Sequence, residues 1–153
     1  MRVTRAFTMF AIVAAVGVAC SDDNPAGIPS GLEVYTATLN GANEKPTAVT
    51  TTARGSAIVT VLGNQLSWKV DITSAIDSIT AGHIHHAPAD SAGGVRVNFN
   101  LAPTGIGFTG TATEGSIAVA DSIIAFMEAG NAYVNIHTRV NGAGEIRGQL
   151  VRQ

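Results

Sequence analysis

Residues 56–73 read SAIVTVLGNQLSWKVDIT, and the fold follows from this stretch. Leu66, Trp68, Val70 and Ile72 alternate with Ser67, Lys69, Asp71 and Thr73. A period of two places the four apolar side chains on one face of an extended strand. Residues 56–62 are β-like as well, and the dipeptide Gly63-Asn64 between the two runs suits the tight turn of a hairpin. A hairpin with one apolar face is a piece of antiparallel sheet packed on a core from one side.

Working outward, further strands are expected at residues 33–40, 79–86, 95–100, 107–114, 131–138 and 144–151, separated by Gly- and Asn-rich connections. That makes about eight short strands. Residues 121–130, DSIIAFMEAG, break the pattern. Their apolar positions recur at helical spacing, with Asp121 placed to cap the start and Gly130 the end. The expected fold class is all-β: an antiparallel, Greek-key-like β-sandwich or barrel of about eight strands with one short helix. A parallel sheet would need repeated crossover helices.

The N-terminal end has a different character. Arg2 and Arg5 precede an uncharged apolar run at residues 6–18, which ends in Gly17-Val18-Ala19-Cys20. This is the layout of a secretory signal, with an apolar run too short to span a bilayer. The chain's single cysteine follows small residues, and the segment resembles the lipobox read by the bacterial lipoprotein peptidase, with Gly17 where Leu is usual. The resemblance implies removal of residues 1–19, lipidation of Cys20 and stable anchoring by several acyl chains. Residues 21–31, SDDNPAGIPSG, have the composition of a flexible tether. The expected organisation is therefore a signal peptide at 1–19, a lipidated Cys and tether at 20–31, and one β domain at 32–153. The location is a bacterial cell envelope, and Ser21 in place of Asp after the Cys points to the outer membrane or cell surface.

Charge and cysteine content narrow the classes further. Nine Lys and Arg face eleven Asp and Glu, and the leader would remove two of the basic residues and no acid. A mildly acidic domain is not a nucleic-acid binder. With one Cys in the chain no internal disulfide can form, so stability must come from the core, and a domain of this size buries roughly two-thirds of its unfolded surface.

All four histidines lie in two expected strands, Gly82-His83-Ile84-His85-His86 and Tyr133-Val134-Asn135-Ile136-His137-Thr138. If Ile84 faces the core, His83 and His85 share the opposite face about 6.6 Å apart, two steps of strand rise. If Val134 and Ile136 face the core, Tyr133, Asn135 and His137 point outward. The same alternation in the last strand buries Ile146 and Leu150 and exposes Glu145, Arg147 and Gln149. His86 falls on the core side at a strand end. Three imidazoles on neighbouring strands can converge on one metal ion, and nitrogen donors without thiolate favour copper or zinc over magnesium or calcium. The alternative is a set of exposed histidines on a solvated sheet face.

Four segments carry a family resemblance: YTATLNGANEKP (35–46), GHIH (82–85), YVNIHT (133–138) and GEIRGQL (144–150). Together they resemble the CHRD domain, named from chordin, over roughly residues 33–151, a domain common in secreted or anchored bacterial proteins. The histidine pattern is also similar to that of copper/zinc superoxide dismutase, with His83 and His85 matching an H-x-H pair and His137 a later ligand. No counterpart of the bridging histidine is evident, and the disulfide is missing.

The remaining motifs carry no chemistry. Residues 142–148, GAGEIRG, nearly match a dinucleotide fingerprint, but the last Gly is one place late and a strand follows. No G-x-S-x-G occurs. Glu145 and Arg147 are placed to pair as a structural ion pair, and Trp68 belongs to the core. The reading is a non-enzymatic, lipid-anchored binding module for an unknown extracytoplasmic ligand or protein, with His83, His85, His137, Asn135, Glu145 and Arg147 as its polar surface. The alternative is a three-histidine copper or zinc protein with a redox or metal-handling role.

Overall fold

The structure is a computed structural model that describes residues 29–153. The expected leader at 1–19, Cys20 and tether residues 21–28 lie outside the described residues. The elements are β1 (Leu32–Asn40), a 3-10 turn (Gly41–Asn43), β2 (Arg54–Leu62), β3 (Gln65–Ile76), β4 (Ile79–His86), β5 (Val95–Asn98), β6 (Phe108–Ala118), α1 (Asp121–Glu128), β7 (Ala132–Thr138), β8 (Ile146–Gln149) and β9 (Val151–Arg152). The expected all-β fold with one helix is present. The last expected strand is divided at Leu150, so nine strands are found where about eight were expected.

The strands form one continuous antiparallel sheet in the order β5-β4-β7-β8-β1-β2-β3-β6, with β9 paired to β1. The Gly63-Asn64 hairpin is as read from the sequence: Leu62 faces Gln65 across the turn and Gly63 takes φ +59°. Such a left-handed conformation suits a two-residue hairpin turn. Leu66, Trp68, Val70 and Ile72 are all buried. They pack with Tyr35, Leu39, Val59, Ile84, Val134 and Ile136 on the concave side of the curled sheet.

The sheet curls far enough to bring its two ends together. Phe99, just past β5, stacks on Trp68 of β3 with ring centroids 5.0 Å apart. Trp68 Nε1 donates to Thr113 Oγ1 on β6 at 3.2 Å, and that hydroxyl donates to the Phe99 carbonyl at 3.3 Å. The result is a half-barrel closed by side chains. Helix α1 lies over one end of the core through buried Met127 and half-buried Ile123, Ile124 and Phe126. Asp121 sits in its first turn while Ala120 holds the cap position, and Gly130 at φ +72° ends it. The acid therefore meets the helix dipole without capping it.

Trp68→Ala removes the stacking partner of Phe99 and the donor to Thr113. The expected cost is about 3–5 kcal/mol, the range for deleting a buried aromatic side chain. Urea denaturation of the variant beside the parent checks it; a loss under about 1 kcal/mol would show that the sheet closes without this contact.

Candidate metal centre

Strand pairing brings the two histidine segments together. β4 and β7 are antiparallel neighbours, with His83 opposite Asn135, His85 opposite Tyr133 and Ala81 opposite His137. β8 continues the row, with Asn135 opposite Arg147 and Tyr133 opposite Gln149. The pleat then puts all of these side chains on the face away from the core, as alternation predicts.

Most of that face is covered, with His83 left half-buried, and the expectation of an exposed polar surface is corrected. His85 is 7% exposed, His137 8%, Asn135 3% and Arg147 2%. Three connections fold back over it. The segment after β4 places Gly93, Ser91 and Pro88 against His85, Tyr133 and Arg147. The turn after β7 places Gly142 against His137, and the segment after β1 places Glu44 against Asn135. Alternation says which face a side chain takes but nothing of what covers that face.

Further positions are also corrected. The Arg147 guanidinium donates to the carbonyls of Ser91 at 2.8 Å and Pro88 at 3.0 Å and lies 3.5 Å over the Tyr133 ring. Among the described residues the ion pairs are Lys69 with Asp71 and Arg152 with Glu33, so the expected Glu145–Arg147 pair does not form. Glu145 lies just before β8, outside the pleat that would have aligned it with Arg147. It accepts instead from Thr138 Oγ1 and Asn141 Nδ2. Gln149 is half-buried and donates to the carbonyls of Ala87 and Gly130. His86 is on the core side, as expected, but stands exposed at the strand end and stacks on Phe126 of α1.

His83, His85 and His137 converge, with one candidate ligand atom from each lying within 4.8 Å of the others. Their tautomers follow from their partners. His85 Nδ1 lies 2.9 Å from the Gly93 carbonyl and His137 Nδ1 3.1 Å from that of Gly142. Each Nδ1 must therefore carry the proton, leaving the Nε2 lone pair to point inward. His137 Nε2 faces His83 Nδ1 at 3.0 Å, while His85 Nε2 is buried without a partner. Carbonyl-bound Nδ1–H with a free Nε2 is the arrangement of a histidine oriented to ligate. Burial pushes the His83 imidazole down to about 4, helped by His137 and His85. Burial also lowers His85 and His137, against the raising effect of their carbonyl partners.

Beside the histidines lies a buried acid that the motifs did not single out as functional. Asn135 Nδ2 donates to Glu44 Oε2 at 3.3 Å. Glu44 Oε1 and Asn135 Oδ1 are buried with no partner among the described residues. Both are acceptors while the carboxyl is ionised; protonation supplies a donor. Burial raises Glu44 to about 7. Gly144, at φ +145°, makes room for the pair: a Cβ there would meet Asn135 Nδ2 at 2.5 Å and Glu44 Oε2 at 2.6 Å. Glu44 lies in the quoted segment 35–46, but nothing in the spacing of that segment links it to Asn135.

The model of the CHRD domain family matches residues 35–150. No curated protein and no solved structure matches the chain.

The shifts fix the pH dependence of the metal-free protein. Each histidine binds its proton more weakly folded than unfolded, so its contribution is complete above pH 6.5 and is lost as pH falls toward the folded value, about 4 for His83. Glu44 has the opposite sign, since its raised value makes stability decline as pH rises from 4.5 through about 7. Three groups outweigh one, so the urea midpoint should fall between pH 7 and 5, and Glu44→Gln should steepen that fall. A flat profile would mean the histidines are not buried neutral.

Proposed function

The chain belongs to the CHRD-domain family, and from that premise we propose that this binding module acts through a three-histidine metal site holding copper or zinc. The observation that carries the reading is the buried, partnerless Nε2 of His85, aimed at the other two histidines while Gly93 holds its Nδ1–H. A buried acceptor without a donor is costly, about 1–3 kcal/mol, unless a ligand satisfies it. The donor set fits the group: three neutral imidazoles, no thiolate and no carboxylate among the converging atoms suit copper or zinc.

His85 and His137 would each offer Nε2, and His83 would offer Nδ1 once its proton moves to Nε2. Gly93 and Gly142 orient two of the three rings. Tyr133 stacks on His85, with centroids 4.9 Å apart and planes within 10°, and so limits its rotation. Copper bound there would supply one-electron chemistry, and zinc a structural or Lewis-acid role. A docking face made of the same residues would have to use half-buried His83 and Glu145, because His85, His137, Asn135 and Arg147 lie under the loops.

The same proposal includes the envelope location. The layout of residues 1–20, with lipidation at Cys20 and a tether to residue 31, supports a domain held on the membrane surface and exposed to extracytoplasmic partners.

Elemental analysis and competition titration of the purified chain should show one copper or zinc ion per chain. Binding should be lost in the combined variant His83→Ala, His85→Ala, His137→Ala with its circular dichroism unchanged. Absence of measurable affinity for either ion in the parent would end the metal reading. For the anchor, Cys20→Ser expressed in a bacterial host should move the protein from the detergent-extracted membrane fraction to a soluble one. Unchanged membrane retention would refute lipidation.

A further inference from the structure

Arg147 poses a separate problem. Its guanidinium is almost wholly buried, yet no carboxylate among the described residues comes within ion-pair distance. Glu44 and Asp90 act on it only through space. Neutral groups hold it in place: two carbonyls, the Gln149 side-chain oxygen at 3.4 Å and the Tyr133 ring. Three of its five N–H groups are thereby engaged, leaving two without a protein acceptor. A buried charge without a counter-charge is destabilising.

A small cavity of about 130 Å³ opens at this point, lined by Asn43, Lys45, Ala89, Arg147 and Gln149. It holds two cations and no acid, and Lys45 makes no ion pair among the described residues. The two amides cannot compete for an acceptor. Gln149 Nε2 already donates to Ala87 and Gly130, and Asn43 Nδ2 to the carbonyls of Arg147 and Thr38. The side-chain donors left to a ligand are those of Arg147 and Lys45.

The geometry points to a binding site for a small oxyanion, a carboxylate or phosphate group, held between the Arg147 guanidinium and the Lys45 ammonium. Guanidinium N–H groups that no protein oxygen accepts can donate to a carboxylate or phosphate oxygen, and a lysine beside them adds a point charge. A cavity of this volume takes a small anionic group. Tyr133 separates the cavity from the histidines: His85 stacks on the ring from the β4 side and Arg147 from the β8 side. The site does not rest on the metal reading.

Titration of the purified, metal-free chain with phosphate and, separately, with acetate tests it, with chloride at matched ionic strength as control. The readout is the NMR signals of the Asn43 and Ala89 amides and of Arg147 Nε–H. Saturable shifts with one or both oxyanions, absent with chloride, are expected, and the comparison shows which oxyanion chemistry the site prefers. Lys45→Gln, a change at the cavity rim, should weaken binding roughly tenfold, equivalent to about 1.4 kcal/mol. Arg147→Lys, where it folds, should weaken it further by removing the unpaired guanidinium N–H groups. Shifts that do not saturate, that chloride reproduces, or that persist undiminished in Lys45→Gln would overturn the proposal.

Discussion

Two backbone carbonyls, those of Gly93 and Gly142, hold the histidine face together by accepting the Nδ1–H of His85 and His137. A neutral imidazole has one N–H, and giving it to a loop leaves the other nitrogen as a lone pair. The sheet supplies the positions of the rings, but the loops set their protonation and orientation. Gly93 shows how close this packing is. A Cβ there would sit 1.9 Å from the His86 carbonyl oxygen, so the covering segment can lie this near β4 only with glycine at that place.

Much of the architecture was legible because period-two alternation reports directly on which face of a pleat a side chain occupies. The facing of Leu66 to Ile72 and the common facing of His83, His85 and His137 follow from it, while the Gly63-Asn64 dipeptide marks the turn and helical spacing marks the helix expected at 121–130. The adjacency of β4 and β7 required more, since residues 79–86 and 132–138 are joined through β5, β6 and α1. What alternation cannot see is burial on the second face. Alternation places Asn135 and Arg147 on the correct side but misses their burial, because the covering segments at 41–49, 87–94 and 141–144 have no periodic pattern. Glu44 escaped for the same reason: its partner lies 91 residues away, and no local spacing encodes the contact.

The distribution of unsatisfied groups distinguishes this face from the rest of the domain. Buried polar atoms in a folded protein nearly always find partners. Among the described residues the buried side-chain exceptions are Glu44 Oε1, His85 Nε2 and Asn135 Oδ1, and Asn135 lies directly opposite His83 in the sheet. The face therefore concentrates a cost that the apolar core on the other side of the same strands must offset.

That concentration also decides between the candidate binding regions. A larger cavity of about 770 Å³ lies beside α1, lined by His86, Arg96, Ile123 and Phe126 among others. It contains none of the partnerless buried atoms, so an occupant there would gain contact area without relieving an existing penalty. On the histidine face an electron-pair acceptor at His85 Nε2, or a proton shared between Glu44 and Asn135, removes a cost already present in the free protein. A buried acceptor left unpaired costs about 1–3 kcal/mol, comparable to fully burying one aliphatic side chain. A ligand arriving at the histidine face thus has a source of binding energy that the groove beside α1 lacks.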